Sequence, residues 1–325
     1  MRDVAALAGV SVKTVSRVVN LEPHTRPEVV LKVRSAITEL GWTPNGSART
    51  LRTGRTGVIS VALPELQRPA VAMLTEALVE ELARRGLQAS IEPTHNDPQR
   101  MRRLMSARSR LFDAIIIIGT PPPDVVESRT TSTPVVVVQS GLQIPVDRVD
   151  SDAVEAASLI ARHLVLMGRS RPSLLGSDSA SAWSAGMTSA FVAAGITHEP
   201  HVQQGLVDRA DGFGAVLRML QTQPMPDSLV CQSDEIALGA LRALQSQGVS
   251  VPEEVAVIGP DNLDDGHFTT PSLTTIDPLV PSIARLVVDV VADRIAGAGP
   301  SDPAAQITPV NLLRRESTLG PGAGL

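Results

Sequence analysis

The side chains able to do covalent or metal chemistry are few, and their spacing does not suit it. A single cysteine, Cys231, leaves no intrachain disulfide and no thiolate zinc site, and points to a reducing compartment. The six histidines, His24, His95, His163, His198, His201 and His267, show no metal-ligand spacing. His198 and His201 flank Pro200 and read as a loop pair. The GxSxG elbow and the GxGxxG and GxxxxGK[ST] fingerprints are missing, so neither catalysis nor a cofactor is expected. What is concentrated is non-covalent chemistry at one end of the chain. From Met1 to Arg55 nine basic residues face four acidic ones, a net +5. The whole chain carries -5, so the remaining 270 residues carry -10. The total alone argues mildly against a polyanionic partner. Its partition into a basic head and an acidic body argues the reverse, because that is the asymmetry of a nucleic-acid-binding module joined to something else.

The elements that must position these residues can be read from pattern. In the head, a short helix from Asp3 to Leu7 ends at Gly9, Ser11 can N-cap a second helix to about Val19, and a third runs from about Pro27 to Leu40. Leu7, Val15 and Val18 face Val29, Val33, Ile37 and Leu40, which makes an all-α helix-turn-helix unit. After Arg55 strand-length apolar runs alternate with helices. The strands are Val58–Leu63, Ala89–Glu92, Ala114–Ile118, Val135–Val138, Ser173–Leu175, Leu229–Cys231 and Ala256–Ile258, and the helices fall near 70–85, 98–110 and 153–167. Continuous apolar strands between amphipathic helices indicate parallel sheets covered on both faces. So long an α/β body divides into two lobes, with a crossover near Asp147–Asp152. With 43% hydrophobic and 19% charged residues the chain is globular. No apolar run approaches the ~18 residues of a membrane span, and Asp3 sits where a secretory signal would be positive. A cytoplasmic protein is expected.

The second helix displays Val12, Lys13, Thr14, Ser16, Arg17 and Asn20 on faces that Val15 and Val18 do not use. Lys and Arg can reach guanine O6 and N7, while Thr and Ser reach bases or phosphates. The plain alternative is a three-helix bundle with a solvated basic face. The coincidence of turn glycine, cap and charge favours reading DNA.

These residues carry a resemblance. Asp3-Val4-Ala5, Ala8-Gly9-Val10-Ser11, Thr14-Val15-Ser16-Arg17-Val18-Val19-Asn20, Leu40-Gly41-Trp42, Pro44-Asn45 and Ala48-Arg49-Thr50-Leu51 resemble the head of the LacI/GalR family of bacterial transcriptional repressors. The resemblance continues through Ser233-Asp234, Ala237-Leu238-Gly239-Ala240, Gly259-Pro260-Asp261-Asn262, Pro271-Ser272-Leu273-Thr274-Thr275-Ile276 and Arg315-Glu316-Ser317-Thr318. It implies a helix-turn-helix domain at 1–43, a hinge helix and linker at 44–55, and a two-lobed, periplasmic-binding-protein-like sensor at 56–325. The N-lobe would take about 56–149 and 281–307, and the C-lobe about 150–280 and 308–320. Val12, Lys13 and Arg17 would read bases, with Val12 acting by apolar contact. Arg26 and the hinge residues Asn45, Ser47 and Ala48 would join the DNA contacts, and Leu51 would enter a central base step and kink the duplex. One departure concerns the start. The family's Thr or Ser cap of the first helix would precede Met1, so either this helix begins with a weaker cap or the true start lies upstream.

For the sensor, the resemblance implies a small-molecule effector between the lobes. Asp261 matches the acidic residue that binds effector hydroxyls or amines, and Asp234 matches the acidic member of a strand-end Asn-Asp pair whose Asn is Ser233 here. Asp150 joins this set. The family's effector-binding Arg is replaced by Trp183, and Arg68 stands beside the position of an aromatic pair replaced by Ala70 and Val71. An indole suits stacking on a sugar ring or an apolar ligand, where Arg would clamp hydroxyls. The implied partners are pseudo-palindromic double-stranded operator DNA, an effector and a second subunit, with a higher oligomer left open and no membrane. The competing readings are a ligand-binding protein of the periplasmic type and an α/β enzyme.

Overall fold

The computed structural model describes residues 1–19, 25–42, 55–106, 111–127, 133–139, 144–176, 182–222 and 224–322. The chain divides into two units, Met1–Gly57 and Val58–Leu325.

In the first unit, α1 (Arg2–Ala8), α2 (Val12–Val19) and α3 (Pro27–Glu39) enclose Val4, Ala5, Val15, Val18, Val33 and Ala36. Gly9 ends α1 with φ 65, a left-handed conformation that costs a glycine nothing. The chain can then turn at once, and Val10 packs into the core between the helices. Ser11 accepts from the Thr14 N–H at 3.1 Å, which satisfies a donor at the start of α2. Pro27 fills the first turn of α3, where no N–H is missed. At the start of α1 Met1 supplies no side-chain cap.

The second unit holds two six-stranded sheets. One joins β1 (Val58–Leu63), β2 (Gln88–Pro93), β3 (Ala114–Ile118), β4 (Val135–Val138), β5 (Asp147–Ser151) and β11 (Ala305–Thr308) in the order β11-β5-β4-β3-β1-β2. Its pairings are all parallel. The other joins β6 (Pro172–Leu175), β7 (His201–Gln203), β8 (Ser228–Cys231), β9 (Ala256–Gly259), β10 (Thr274–Asp277) and β12 (Asn311–Leu313) in the order β12-β10-β9-β8-β6-β7. Only β12 runs antiparallel to its neighbour.

Strand periodicity divides each lobe into two cores. Ile116, Ile118, Val136 and Val138 face α4 (Pro69–Arg84) and α11 (Val280–Ala296). Ile115, Ile117, Val135 and Val137 face the side of α5 (Pro98–Leu104) and α6 (Pro123–Glu127). In the second lobe Leu175, Leu229 and Val257 pack under α9 (Arg209–Thr222) and α10 (Asp234–Ser246). Leu174, Val230 and Ile258 pack under α7 (Ala153–Leu166) and α8 (Ala182–Ala193). Helix α5 stops at Leu104, short of the span to 110 that the sequence suggested.

Three segments cross between lobes, and they fix where a ligand can lie. β5 ends at Ser151, Asp152 caps α7, and α7 belongs to the other lobe. β10 ends at Asp277 and leads to α11, which returns to the first lobe. Thr308 closes β11 beside Ser151, while Asn311 opens β12 beside Asp277. Two residues separate Thr308 from Asn311, a reach of at most about 11 Å. The carboxyl edges of both sheets therefore meet the same crossover, and the crevice outside those edges is where open α/β folds bind ligands.

Candidate DNA-reading surface and effector cleft

On α2 the pattern 15 and 18 in, 12, 13 and 17 out is realised. Val15 and Val18 are buried, Val12 is 44% exposed, and Lys13 and Arg17 are exposed. Thr14 and Ser16 are half-buried, and the Thr14 hydroxyl lies 2.9 Å from that of Ser11, so part of its bonding capacity is spent on the helix start. Arg26 is exposed and precedes α3 without a side-chain cap. Val12, Lys13 and Arg17 share an exposed, cationic helix face of the kind that enters a major groove. Asn20, Asn45, Ser47, Ala48 and Leu51 lie outside the described residues.

At the carboxyl edge of the second sheet the acidic pair departs from its expected role. Asp234, the first residue of α10, is wholly buried. Its carboxylate accepts from the Asp261 N–H at 3.1 Å, the Leu263 N–H at 2.9 Å and the Thr275 hydroxyl at 2.8 Å. A carboxylate with three donors and no exposure has nothing left for an effector, so Asp234 is a brace for the loop after β9. Gly259 makes room for it, because a Cβ there would collide with the Asp234 carboxylate. Asp261 reciprocates by accepting the Asp234 N–H at 2.8 Å, which caps the first turn of α10. It stays half-buried, and its second oxygen accepts no hydrogen bond from the described residues. Burial, and then the nearby Asp234 charge, raise the Asp261 carboxyl above the usual carboxylate range. Burial also raises Asp234, against the hydrogen bonds that favour its anion.

Ser233 is likewise engaged, accepting the Ile236 N–H at 3.2 Å as the cap of α10. Trp183, in the first turn of α8, is half-buried against the α7–α8 core. Its ring also lies over the end of β6. A Cβ on Gly176 would stand 3.0 Å from Trp183 Cζ3 and 2.7 Å from Gln232 Oε1. Trp183 is thus both core and part of the strand-end surface, with Gln232 beside it. Gln232 escaped sequence reading because an isolated Gln carries no spacing signal.

On the first lobe, Arg68 precedes α4 at the end of the β1 connection and pairs weakly with Glu65 at 3.8 Å. Asp150 is 8% exposed and pairs with Arg148 at 3.7 Å. Asp150, expected in the effector set, thus stands at the end of the first sheet with Arg148 as its ionic neighbour. No hydrogen bond or ion pair joins Arg68 to Trp183 or Asp261. Among the described residues no group of His, Cys, Asp and Glu is arranged to hold a metal, and no helix is long and apolar enough to cross a membrane.

The C-terminal motif has a structural role that pattern alone did not disclose. The Ser317 hydroxyl donates to Val257 O at 2.7 Å and accepts the Thr274 N–H at 2.8 Å. Thr318 meets both Thr274, at 2.7 Å, and His163 Nε2, at 2.8 Å. Arg315, 5% exposed, donates to Leu273 O at 2.8 Å and to Asn262 Oδ1 at 2.7 Å. This buried network fastens α12 (Glu316–Leu319) to β9 and β10.

A basic three-helix reader on a two-lobed α/β sensor defines the class of ligand-responsive, DNA-binding regulators. Comparison with known proteins agrees. Residues 1–45 match the family described as bacterial regulatory proteins, lacI family, and residues 56–316 match the periplasmic binding proteins and sugar binding domain of LacI family. The chain belongs to the LacI family. It is similar to the transcriptional repressor PurR of Haemophilus influenzae, with 29% identity over 91% of this chain and 90% of that one. Among solved structures it resembles a putative LacI-family regulator from Sanguibacter keddieii (33% identity, 82% of this chain and 99% of the other, TM-score 0.74). It also resembles the Lac repressor dimer bound to operator and the anti-inducer ONPF (26% identity, 97% and 98%, TM-score 0.82). The chain is accordingly a DNA-binding transcriptional repressor with an effector-binding sensor body.

Proposed function

We propose that this cytoplasmic repressor binds a two-fold operator as a homodimer, reads bases through Val12, Lys13 and Arg17, and is controlled by an effector lying against Trp183 and Asp261 between the lobes. It has no enzymatic step and needs no cofactor. The observation that carries the effector reading is the strand-end surface of the second lobe, where the Trp183 ring lies over Gly176 and Asp261 keeps one carboxylate oxygen unspent. Such a surface suits a ring with a flat apolar face and a hydroxyl or amine donor at its edge. A ligand that favours one lobe arrangement shifts the population and with it operator affinity. The test uses a Trp42→Phe background, which leaves Trp183 as the sole fluorophore of the two tryptophans. A compound that changes operator affinity should quench Trp183 and lose potency in Asp261→Ala. A compound that controls operator binding with Trp183 emission and Asp261→Ala both indifferent would refute the site.

A further inference from the structure

The edge of the second sheet opposite the effector cleft, where its strands begin, carries a hollow of about 390 Å³. That is large enough for a small molecule. Its walls are the loop from α7 to β6, through Arg169 and Arg171, and the loop from α8 to β7, through Thr197 and His198. No carboxylate lines it among the described residues, although the chain beyond Arg55 carries -10. His198, in sequence only one of a loop pair, thus stands beside two arginines.

These cations are not spent on acids of the fold. Arg169 donates to two neutral carbonyl oxygens, Pro252 O and, at 3.3 Å, Glu253 O. Its Nε is closed to solvent and has no acceptor. A buried donor left in that state is uncommon, and a small rotation of the guanidinium would offer it to the hollow. The exposed Arg171 side chain makes no hydrogen bond or ion pair among the described residues. Asp227 is committed to the loop backbone, accepting the Ser170 N–H at 2.7 Å and the Arg171 N–H at 2.9 Å, and so holds Arg171 in place without neutralising its side chain through a direct pair. Nor do the helix ends require these arginines. Both α7 and α8 end at the hollow, where a cation would be welcome, but their last carbonyls are closed by backbone. Gly168 donates to Val165 O at 3.0 Å and Arg169 N–H to Leu164 O at 2.9 Å, while Gly195 donates to Val192 O at 3.1 Å and Ile196 to Phe191 O at 2.9 Å.

The set is rich in donors and poor in acceptors, which selects an oxyanion. Guanidinium forks match the oxygens of a phosphate, and the Thr197 hydroxyl and His198 imidazole add donors on the facing loop. The hollow is also joined to the cleft by one rigid element. Trp183 stands in the first turn of α8, and Ala194, just past the end of that helix, lines the hollow. Twelve helical residues place the two ends about 18 Å apart. An anion that draws the 194–198 loop toward Arg171 therefore pulls on the helix that carries the indole.

We propose that this hollow is a second regulatory site, which takes a small phosphate monoester through Arg171, Arg169, Thr197 and His198 and reports its occupation to Trp183 along α8. The binding stands independently of the effector reading; the regulatory link rests on it. The test is isothermal titration calorimetry of the full chain at fixed ionic strength, with inorganic phosphate and glycerol 3-phosphate as probes and glycerol as the neutral control. Glycerol 3-phosphate should bind with a dissociation constant of roughly 1 mM or below, and glycerol should give no heat. Arg171→Ala should weaken binding about tenfold or more at an unchanged circular dichroism spectrum, and Arg171→Lys, which keeps the charge without the fork, severalfold. Arg103→Ala removes an exposed arginine of the other lobe and should change nothing. In the Trp42→Phe background, saturating glycerol 3-phosphate should alter Trp183 emission, and Arg171→Ala should abolish the change. Absence of binding by either probe below about 10 mM overturns the site, as does binding that survives Arg171→Ala or that Arg103→Ala weakens equally. A site that takes inorganic phosphate but refuses glycerol 3-phosphate overturns the monoester. Binding that leaves Trp183 emission and operator affinity unchanged overturns the regulatory link. Failure of the Trp183–Asp261 cleft in its own test leaves the calorimetry untouched, so the two failures are distinguishable.

Discussion

Substitution of Asp234 separates a structural carboxylate from a ligand-binding one. Its oxygens take three donors, from Asp261, Leu263 and Thr275, in a site with no solvent access. Asp234→Ala leaves the Asp261 and Leu263 N–H groups without an acceptor and the Thr275 hydroxyl with only the longer bond to Ile276 O at 3.3 Å. At about 1 to 3 kcal/mol for each buried group left unsatisfied, and without full additivity, the expected loss is roughly 3 to 6 kcal/mol. Against a typical stability of about 5 to 15 kcal/mol, that takes a large part of the fold. Asp234→Asn is the sharper variant. It keeps the shape and one acceptor, but an amide group meets the Leu263 N–H if its oxygen stays with Asp261 and Thr275. The loss should be about 1 to 3 kcal/mol, offset in part because a buried charge is removed. Urea denaturation followed by circular dichroism measures both. Amide exchange should show Asp261 and Leu263 opening first, with Leu229 and Val230 in β8 retaining protection. An Asp234→Asn protein with wild-type stability and wild-type exchange at Leu263 would refute the brace.

Arg17→Ala should cost about 1 to 3 kcal/mol of operator affinity and relax preference at one base position, read by selection from random sequences. A mutant with unchanged preference removes Arg17 from the base-reading set. Gly239→Ala should destabilise the second lobe by about 1 to 3 kcal/mol, because its methyl meets the Arg209 carbonyl across the α9–α10 contact, and thermal denaturation reads this directly. Burial, and then the Arg314 charge, lower His163 to about 4. The fold thus holds the neutral imidazole: its contribution is complete above the unfolded value near 6.5 and is lost as pH falls through about 4. Stability of His163→Gln should therefore fall less than wild type on acidification over that window, measured by denaturation at a series of pH values.

Much of the head was legible because every local signal agreed. Gly9, Ser11 and Pro27 each have one physical use at their position, and Val15 and Val18 leave only one face of α2 for recognition. The long apolar strands were equally plain, since runs such as Ala114–Ile118 have no other home than a doubly covered sheet. Short or polar strands were not. His201–Gln203, Ala305–Thr308 and Asn311–Leu313 have three or four residues and owe their form to their neighbours in the sheet. Asp147–Ser151 read as a crossover and is both strand and crossover, since the sequence change at its end is the cap on α7. The cleft was harder for a different reason. A carboxylate can be seen in a sequence, but its donors cannot. Those of Asp234 come from the loop after β9 and from β10, so its spent state is visible only in three dimensions. The same holds for Arg315, which a motif marks without telling that it grips Asn262 and His267.

The exposed cationic face of α2 should read a specific, two-fold operator. Selection of bound duplexes from random DNA with the intact protein, followed by fluorescence anisotropy on the winner at several salt concentrations, tests it most directly. The expected winner is an inverted repeat bound at least about a thousandfold more tightly than unrelated DNA. Its binding should show a salt dependence that weakens when Lys13 or Arg17 is replaced by alanine. An asymmetric consensus, no consensus at all, or a selected site bound equally well by Lys13→Ala and Arg17→Ala would contradict it.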